Sequence, residues 1–579
     1  MAEYQNPQQQ PGGEGRLLLI FLVTFLVMMA AQPFLKKYFP TPPPPKQQTQ
    51  VAETPAPLPP PPPGAKTEKA TPGKASEGVT KQAASEEETV IESALYRITF
   101  TNRGAQVKSW ILKKFDNDTE NGPLDLVNSA AAAQYGYPLS LWTYDEDLHG
   151  KLSSALYVAS RDGDKITFEY SDHDLSVRKT FTFDDTYVAK LETSVVYKGS
   201  YVAALPSWPS GFGDQTTPAF YAASLIDYQY NKNIERLPIK KISGGGTLSG
   251  PFHWAGPNDQ YFAAIFIPDD PAATSMVTLR HPLSIAKDPS QKNSTEKVNV
   301  EVLGAAVGNL HGPTSERAFV GPKELGVLEK VSVPGVSGAD NDLNGLVDFG
   351  WWGIIAKPLF VWLKWTYRYV PNWGWSIVLQ TIIISLVLLP LRITQMKSML
   401  KMQRVAPQIK SIQEKYKKYS LRDPRKAAMN EEISALYKKE GVNPAGGCLP
   451  MLIQMPFIFA YYRMLGSALD LRHAHWLWIR DLSAAEPFPY ILPVIMIVSM
   501  LVVQRMTPQA GMDPSQQRMM NVMMPLMMGF IFFRLAAGLN LYYSVVNVIG
   551  IAQQAVMNRT SVGREMREIM AKRARKKEK

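Results

Sequence analysis

Polar side chains set inside long apolar runs are the residues of this sequence best placed to do chemistry. Thr381 and Ser385 stand four apart in the run 375–391, so they share one helix face. Gln454 lies between Ile453 and Met455 in the run 449–469. Tyr543, Ser544 and Asn547 follow Asn540 by three, four and seven residues, which makes a polar stripe on one helical face of the run 519–557. Hydroxyls and amides of this kind offer hydrogen bonds. They bond to neighbouring helices, as is common in bundles, or to water and a polar guest in a wet groove. The hydroxyl pair and the stripe together favour the groove, lined by Thr381, Ser385, Gln454, Met455, Asn540, Tyr543 and Asn547. Arg392 stands seven residues beyond Ser385, about 10 Å down the same face, where it would guard the groove mouth.

Covalent and metal chemistry finds no support. The chain has seven His and one Cys, Cys448, and His473 and His475 lie two apart with no carboxylate at ligand spacing. GxxxxGK[ST], GxSxG and HExxH are all missing, and the Gly run 244–246 lacks a GxGxxG context. The expectation is a protein that is not an enzyme, needs no cofactor and has no ATPase of its own.

The elements that must position these residues are membrane helices. The 579 residues are 45% hydrophobic with a net charge of +11, yet the apolar residues gather in a few runs. A bilayer core of ~30 Å needs about 20 mostly apolar helical residues. The runs 17–31, 375–391, 449–469 and 490–503 meet or approach that length, and 519–557 is split in two at 534–538. Six transmembrane helices result. Residues 392–445 carry 13 Lys/Arg against five Asp/Glu, and 558–579 carry nine against three. Both excesses flank apolar runs, as the positive-inside rule expects of cytoplasmic segments, so the charge reads as topology and not as a DNA-binding surface. Arg16 ahead of the first run places the N-terminus inside, and counting spans from there returns both basic segments to the cytoplasm. The first run also has the form of a signal peptide; Lys36 and Lys37 beyond it favour an uncleaved anchor.

Between the first two spans the pattern changes twice. Residues 36–89 are a disordered linker rich in Pro, too poor in apolar residues to offset chain entropy. From 90 to 340 short runs alternate with period two, as in Tyr96, Ile98 and Phe100, between Gly-, Pro- and Asp-rich turns. This predicts a β-sandwich held loosely by the linker, across the membrane from the basic segments. Residues 349–369, with Trp351, Trp352, Trp362 and Trp365 among Lys357 and Lys364, predict an amphipathic helix at the outer interface. Beyond it lie a five-helix unit at 370–557 and a basic tail at 558–579. That unit includes a charged helical hairpin at 393–445, broken near Arg422-Asp423-Pro424, a docking surface that anionic lipid would also attract. Ten of the 24 methionines fall between 496 and 528, a composition that suits varied apolar partners as well as ordinary core packing.

The sequence resembles the YidC family of bacterial membrane protein insertases over nearly its whole length. The motifs are Asn-Trp-Gly-Trp-Ser at 372–376, the Met-rich start of the hairpin at 396–402, and Val-Asn-Pro-Ala-Gly-Gly-Cys-Leu-Pro-Met-Leu-Ile-Gln-Met-Pro at 442–456. Trp-Ile-Arg-Asp-Leu-Ser at 478–483, Tyr-Ile-Leu-Pro at 490–493 and Gly-Leu-Asn-Leu-Tyr-Tyr at 538–543 also match. In the β region, Thr-Asn-Arg-Gly-Ala at 101–105 and Val-Gly-Pro-Lys at 320–323 do the same. The resemblance implies an α+β inner-membrane protein with a periplasmic β-supersandwich, an N-terminal anchor and a five-helix insertase core. It implies a groove open to cytoplasm and bilayer that takes nascent membrane proteins, alone or beside the Sec translocon. It further implies ribosome and nascent-chain docking by the hairpin and tail, here Lys410, Lys415, Lys417, Lys418, Arg422, Arg425, Lys426, Arg573, Arg575, Lys576 and Lys577. One position departs from the pattern. The family usually places Arg or Lys four residues after the threonine matched by Thr381, where this chain has Ser385. A multi-span transporter or channel is the competing class; it would be expected to show corresponding broken spans in two halves, and no such repeat is visible.

Overall fold

The computed structural model describes residues 80–568 except 232, 288–295, 337–341, 417–418, 420–424, 443–448, 507–518, 561–563 and 565–567. The first apolar run, most of the Pro-rich linker and the end of the basic tail therefore lie outside the described residues.

The outer half is built from antiparallel strands between Glu88 and Pro322. The largest sheet runs from Asn233–Pro238 through Leu225–Tyr230, Phe252–Asn258, Phe262–Pro268, Thr314–Pro322, Val188–Tyr197, Leu175–Phe183 and Lys165–Ser171 to Val158–Asp162. A five-stranded sheet centred on the hairpin Thr274–Ala286 and Lys297–Asn309 packs on it, and a four-stranded sheet starts the domain. Sequence sets which strands are central. Phe262–Pro268, with no charged residue, is buried on both faces, whereas Leu175–Phe183 alternates as Leu175, Val177 and Phe181 turn inward and Ser176 and Arg178 outward. Lys179 also takes an inward position, although it carries a charge. It is fully buried, and its ammonium donates to the carbonyls of Gly104, Ala105 and Leu139. It thereby pins the loop after Tyr96–Thr101 and the chain near Leu139 to the large sheet. Burial pushes it down to about 7, while three carbonyl acceptors favour its charged form.

The inner half is helical. Helix α1 (Gly353–Tyr369) buries Ala356, Leu359, Phe360 and Leu363 and exposes Ile354, Val361, Trp365 and Tyr369, the two faces expected of it. It turns by 118° into α2 (Trp373–Val387). Asn372 caps α2 by accepting from the Trp375 N–H, and Gly374 lets the chain press against Trp476, whose ring would meet a Cβ there at 2.1 Å. The run 375–391 is not one straight helix: α2 ends at Leu388, two residues before Pro390, and α3 (Leu389–Lys415) begins at once. Helix α4 (Arg425–Lys439) folds back on α3 around Val405, Ile409 and Val442. The predicted break at Arg422-Asp423-Pro424 falls outside the described residues. Helices α5 (Leu449–Ser467), α6 (Ile491–Met506), α7 (Met524–Phe532) and α8 (Ala537–Arg559) complete the unit. The turn between α7 and α8 falls within the predicted 534–538 stretch, give or take a residue.

No single described helix is long and apolar enough to cross a membrane. Only α1 and α2 together reach that measure, as a bent pair.

The expectation of a loosely held β domain is overturned. Arg472, from the loop after α5, donates to the Asp116 carbonyl at 2.9 Å and to Asp118 at 2.9 Å while lying over the rings of Tyr261 and Phe262. Tyr261 donates to Ser483 at 3.0 Å, Gln260 to the Gly466 carbonyl at 3.0 Å, and His475 meets Glu120 at 3.2 Å. These loop contacts, invisible to composition, seat the domain on the helices.

Candidate functional site: a polar cavity between four helices

Four helices enclose one cavity. Helix α2 contributes Thr381, Ile384 and Ser385, with Leu388 at its end; α3 contributes Arg392, and α5 contributes Gln454 and Phe457. Helix α8 contributes Tyr542, Val546, Ile549 and Gln553. Thr381, Ser385, Gln454 and Arg392, distant in sequence, are thus brought to one wall-lined space. The Thr381 hydroxyl donates at 2.6 Å to the Ile377 carbonyl one turn back, so it is already partly satisfied within its helix. Ser385 is half-buried. The Arg392 guanidinium donates to Gln553 Oε1 at 3.1 Å across the cavity. It passes so close to α8 that a Cβ on Gly550 would meet its Nη1 at 2.9 Å.

The predicted stripe on α8 does not line this space. Asn540 is fully buried and donates to the carbonyls of Phe532 at 3.0 Å and Leu535 at 3.3 Å, closing the α7–α8 turn. Asn547 donates to Ser499 Oγ at 3.1 Å on α6. Tyr543 packs edge-on against Phe532, and Met455 stands half-buried on α5 away from the lining. The physical reason is a helical phase offset. Asn540, Tyr543 and Asn547 face α6 and α7, while the cavity receives the neighbouring row 542, 546, 549 and 553, which also repeats at four, three and four. A polar stripe was legible; which of two adjacent faces looked into the cavity was not.

Two groups escaped the sequence reading. Gln380, fully buried on α2, donates to the Leu359 carbonyl at 2.9 Å and accepts from the Tyr461 hydroxyl. Tyr461 stacks on Tyr542 at 4.1 Å. This chain of contacts joins α1, α2, α5 and α8 beside Thr381. The signal was an amide inside the apolar run 377–384, adjacent to the threonine already singled out. Gln553, the acceptor for Arg392, lies in the last turns of α8, where a polar residue draws no notice.

In the hairpin, Lys415 pairs with Glu432 at 2.7 Å and Lys410 with Glu414 at 3.6 Å, both on the surface. Arg425 lies 3.9 Å over the Tyr419 ring. Lys417, Lys418, Arg422, Arg573, Arg575, Lys576 and Lys577, and the side chain of Lys426, lie outside the described residues.

Comparison with known proteins matches both halves. Residues 88–362 match the YidC periplasmic domain, and 365–564 match the family described as 60Kd inner membrane protein. The membrane protein insertase YidC of Syntrophus aciditrophicus is 31% identical over 500 residues, covering 82% of this chain and 85% of that one. The chain belongs to the YidC family of membrane protein insertases. A second YidC, from Citrifermentans bemidjiense, is 32% identical over 493 residues, covering 81% and 85%. That of Cupriavidus pinatubonensis is 36% identical over 407 residues, covering 66% and 68%. The YidC periplasmic match takes in every strand of the β domain and most of α1, and the inner-membrane match takes in α2 to α8.

Proposed function

We propose that this chain is an inner-membrane insertase that receives nascent transmembrane segments in the cavity between α2, α3, α5 and α8. Family membership carries the activity. The observation that carries the site is the gathering of Thr381, Ser385, Arg392 and Gln454 from three separate helices into one space. Hydrogen-bonding groups there hold water within the apolar layer, which lowers the cost of drawing a polar tail into it. The β domain lies on the periplasmic side, with α1 on the outer interface and six spans in all. Both termini and the α3–α4 hairpin lie in the cytoplasm, on the charge asymmetry of segments 392–445 and 558–579. Nascent membrane proteins are the substrates; the hairpin and tail meet ribosomes and anionic lipid, and the Sec translocon is a partner for some substrates.

Photocrosslinkers at Ser385, Phe457 and Asn547 test the site. A ribosome-arrested nascent span is captured at the first two positions and not at the third, whose side chain is committed to Ser499. Capture at Asn547 as strong as at Ser385, or capture of lipid alone, places the substrate elsewhere.

A further inference from the structure

A second pocket, rich in charged side chains, lies at the other end of α5, beneath the β domain. Asp227, Arg236 and Lys323 line it from the β domain, Asp348 from the segment leading into α1, and Arg463, Gly466 and Ser467 from the last turns of α5. Arg463 is buried and donates to Asp348 Oδ2 at 3.1 Å. Asp348 also accepts the Gly350 N–H at 2.8 Å, and its carbonyl accepts from Ser467 Oγ at 3.0 Å. One residue therefore ties the start of α1 to the end of α5. Burial pushes the Asp348 carboxyl up, but Arg236, Arg463, the Gly350 N–H and Lys323 outweigh it and hold it below its ordinary value. The β domain closes the pocket from above: Lys323 donates to Asn258 at 2.8 Å, Arg236 to the Gly345 carbonyl at 2.6 Å, and Gln260 reaches Gly466.

We propose that the Asp348–Arg463 pair, seated under the β domain, is a positioning device for the insertion cavity, fixing the outer end of α5 and through it the places of Gln454 and Phe457. The proposal rests on the reading above that the cavity receives the nascent span. Arg463 stands nine residues beyond Gln454 on one helix, about 14 Å along its axis. Between them Tyr461 holds Gln380 and stacks on Tyr542, so a turn or shift of α5 at the pocket moves cavity-lining groups on α5 and strains their contacts with α2 and α8. Removing the Asp348 charge takes a carboxylate from the buried Arg463, and removing Arg463 takes one of the cations that hold Asp348, so either change favours a different seat for the helix end. The outer domain then serves insertion from a distance: it supplies Arg236, Lys323 and Gln260, which enclose the pair, and contributes nothing to the cavity lining.

The test uses the full chain in lipid vesicles, with Arg463→Gln, Asp348→Asn, the double variant and Arg463→Lys. The readouts are capture of an arrested nascent span by a photocrosslinker at Ser385, and the rate at which a water-soluble maleimide modifies Ser385→Cys after Cys448→Ala. Arg463→Gln and Asp348→Asn should each lower capture and shift the maleimide rate by roughly threefold or more, at the lower end of couplings between contacting residues. The double variant should be no worse than either single one, and Arg463→Lys, which keeps the charge, should recover most of the loss. A purely structural role predicts loss of thermal stability with an unchanged rate at Ser385. Unchanged capture and maleimide rate in both single variants overturn the proposal. If the parent chain itself captures no span, the cavity reading fails, and the maleimide rate, which needs no substrate, still decides the role of the pair: a shift upholds it and no shift overturns it.

Discussion

Replacing Arg392 by Gln removes the described cation of the cavity between α2, α3, α5 and α8 while keeping a side chain able to bond Gln553. Arg392 stands seven residues past Ser385 across the break at Leu388, at most about 10 Å of helical rise, and its side chain reaches back part of that distance. A substrate carboxylate at the level of Ser385 is then about 8 Å from the guanidinium. At an effective dielectric constant near 20 their attraction is about 2 kcal/mol, or roughly thirtyfold in occupancy. Arg392→Gln should therefore slow insertion of a span with an acidic translocated tail by about that factor, and leave a neutral-tailed span within about twofold. Purified protein in vesicles, with protease protection of the tail as readout, gives both rates side by side. Ser385→Arg in the Arg392→Gln background should restore the acidic substrate, because it returns a charge to the same cavity seven residues earlier in the chain. Equal slowing of both substrates would refute the electrostatic reasoning and make Arg392 a packing residue between α3 and α8.

Two further outcomes follow from the charges outside the membrane layer. Burial pushes Asp227 to about 6, against the pull of Arg236 and Lys323; its ordinary value is about 3.9. The folded state thus binds an extra proton at this group between about pH 4 and 6, so its contribution to stability is greatest below that window and falls as pH rises through it, by the order of 2–3 kcal/mol. Thermal unfolding of the β domain followed by near-ultraviolet dichroism should show this slope, Asp227→Asn should flatten it, and identical slopes in both proteins would refute the assignment. Removing residues 563–579 should weaken ribosome co-sedimentation at low salt and matter progressively less as salt is added; unchanged binding at low salt would assign that charge to topology and lipid alone.

The sequence announced its elements through periodicity and composition, and those travelled well into three dimensions. Alternation at Tyr96, Ile98 and Phe100 is alternation in the strand Tyr96–Thr101, and the aromatic stretch before α2 is an amphipathic helix. What it concealed was phase and long-range pairing. Asn540 and Asn547 could be assigned to a stripe, but facing the cavity or facing α6 differs by about 100° of helix rotation, one residue, and both faces repeat every three or four positions. The seat of the β domain was hidden for a different reason. Arg472, Gln260 and Tyr261 are ordinary loop residues whose partners lie more than 200 positions away, and nothing local marks such a pair.

On the proposed reading, the placement of the cation lets a serine stand at 385: the charge sits on α3 and not midway along α2. A charge midway through a span costs about 2.5–3.5 kcal/mol on insertion scales. Ser385 avoids that cost and leaves a hydroxyl that needs no counter-charge. Arg392 lies beyond the helix break at Leu388, where its guanidinium has Gln553 as acceptor and the basic hairpin follows. The cost of burying the charge is lower there, and so is its pull on a carboxylate deep in the cavity, since attraction falls with distance. Gly550 lies against that guanidinium: a Cβ there would meet Nη1 at 2.9 Å, so an alanine would make the end of the flexible arginine side chain shift.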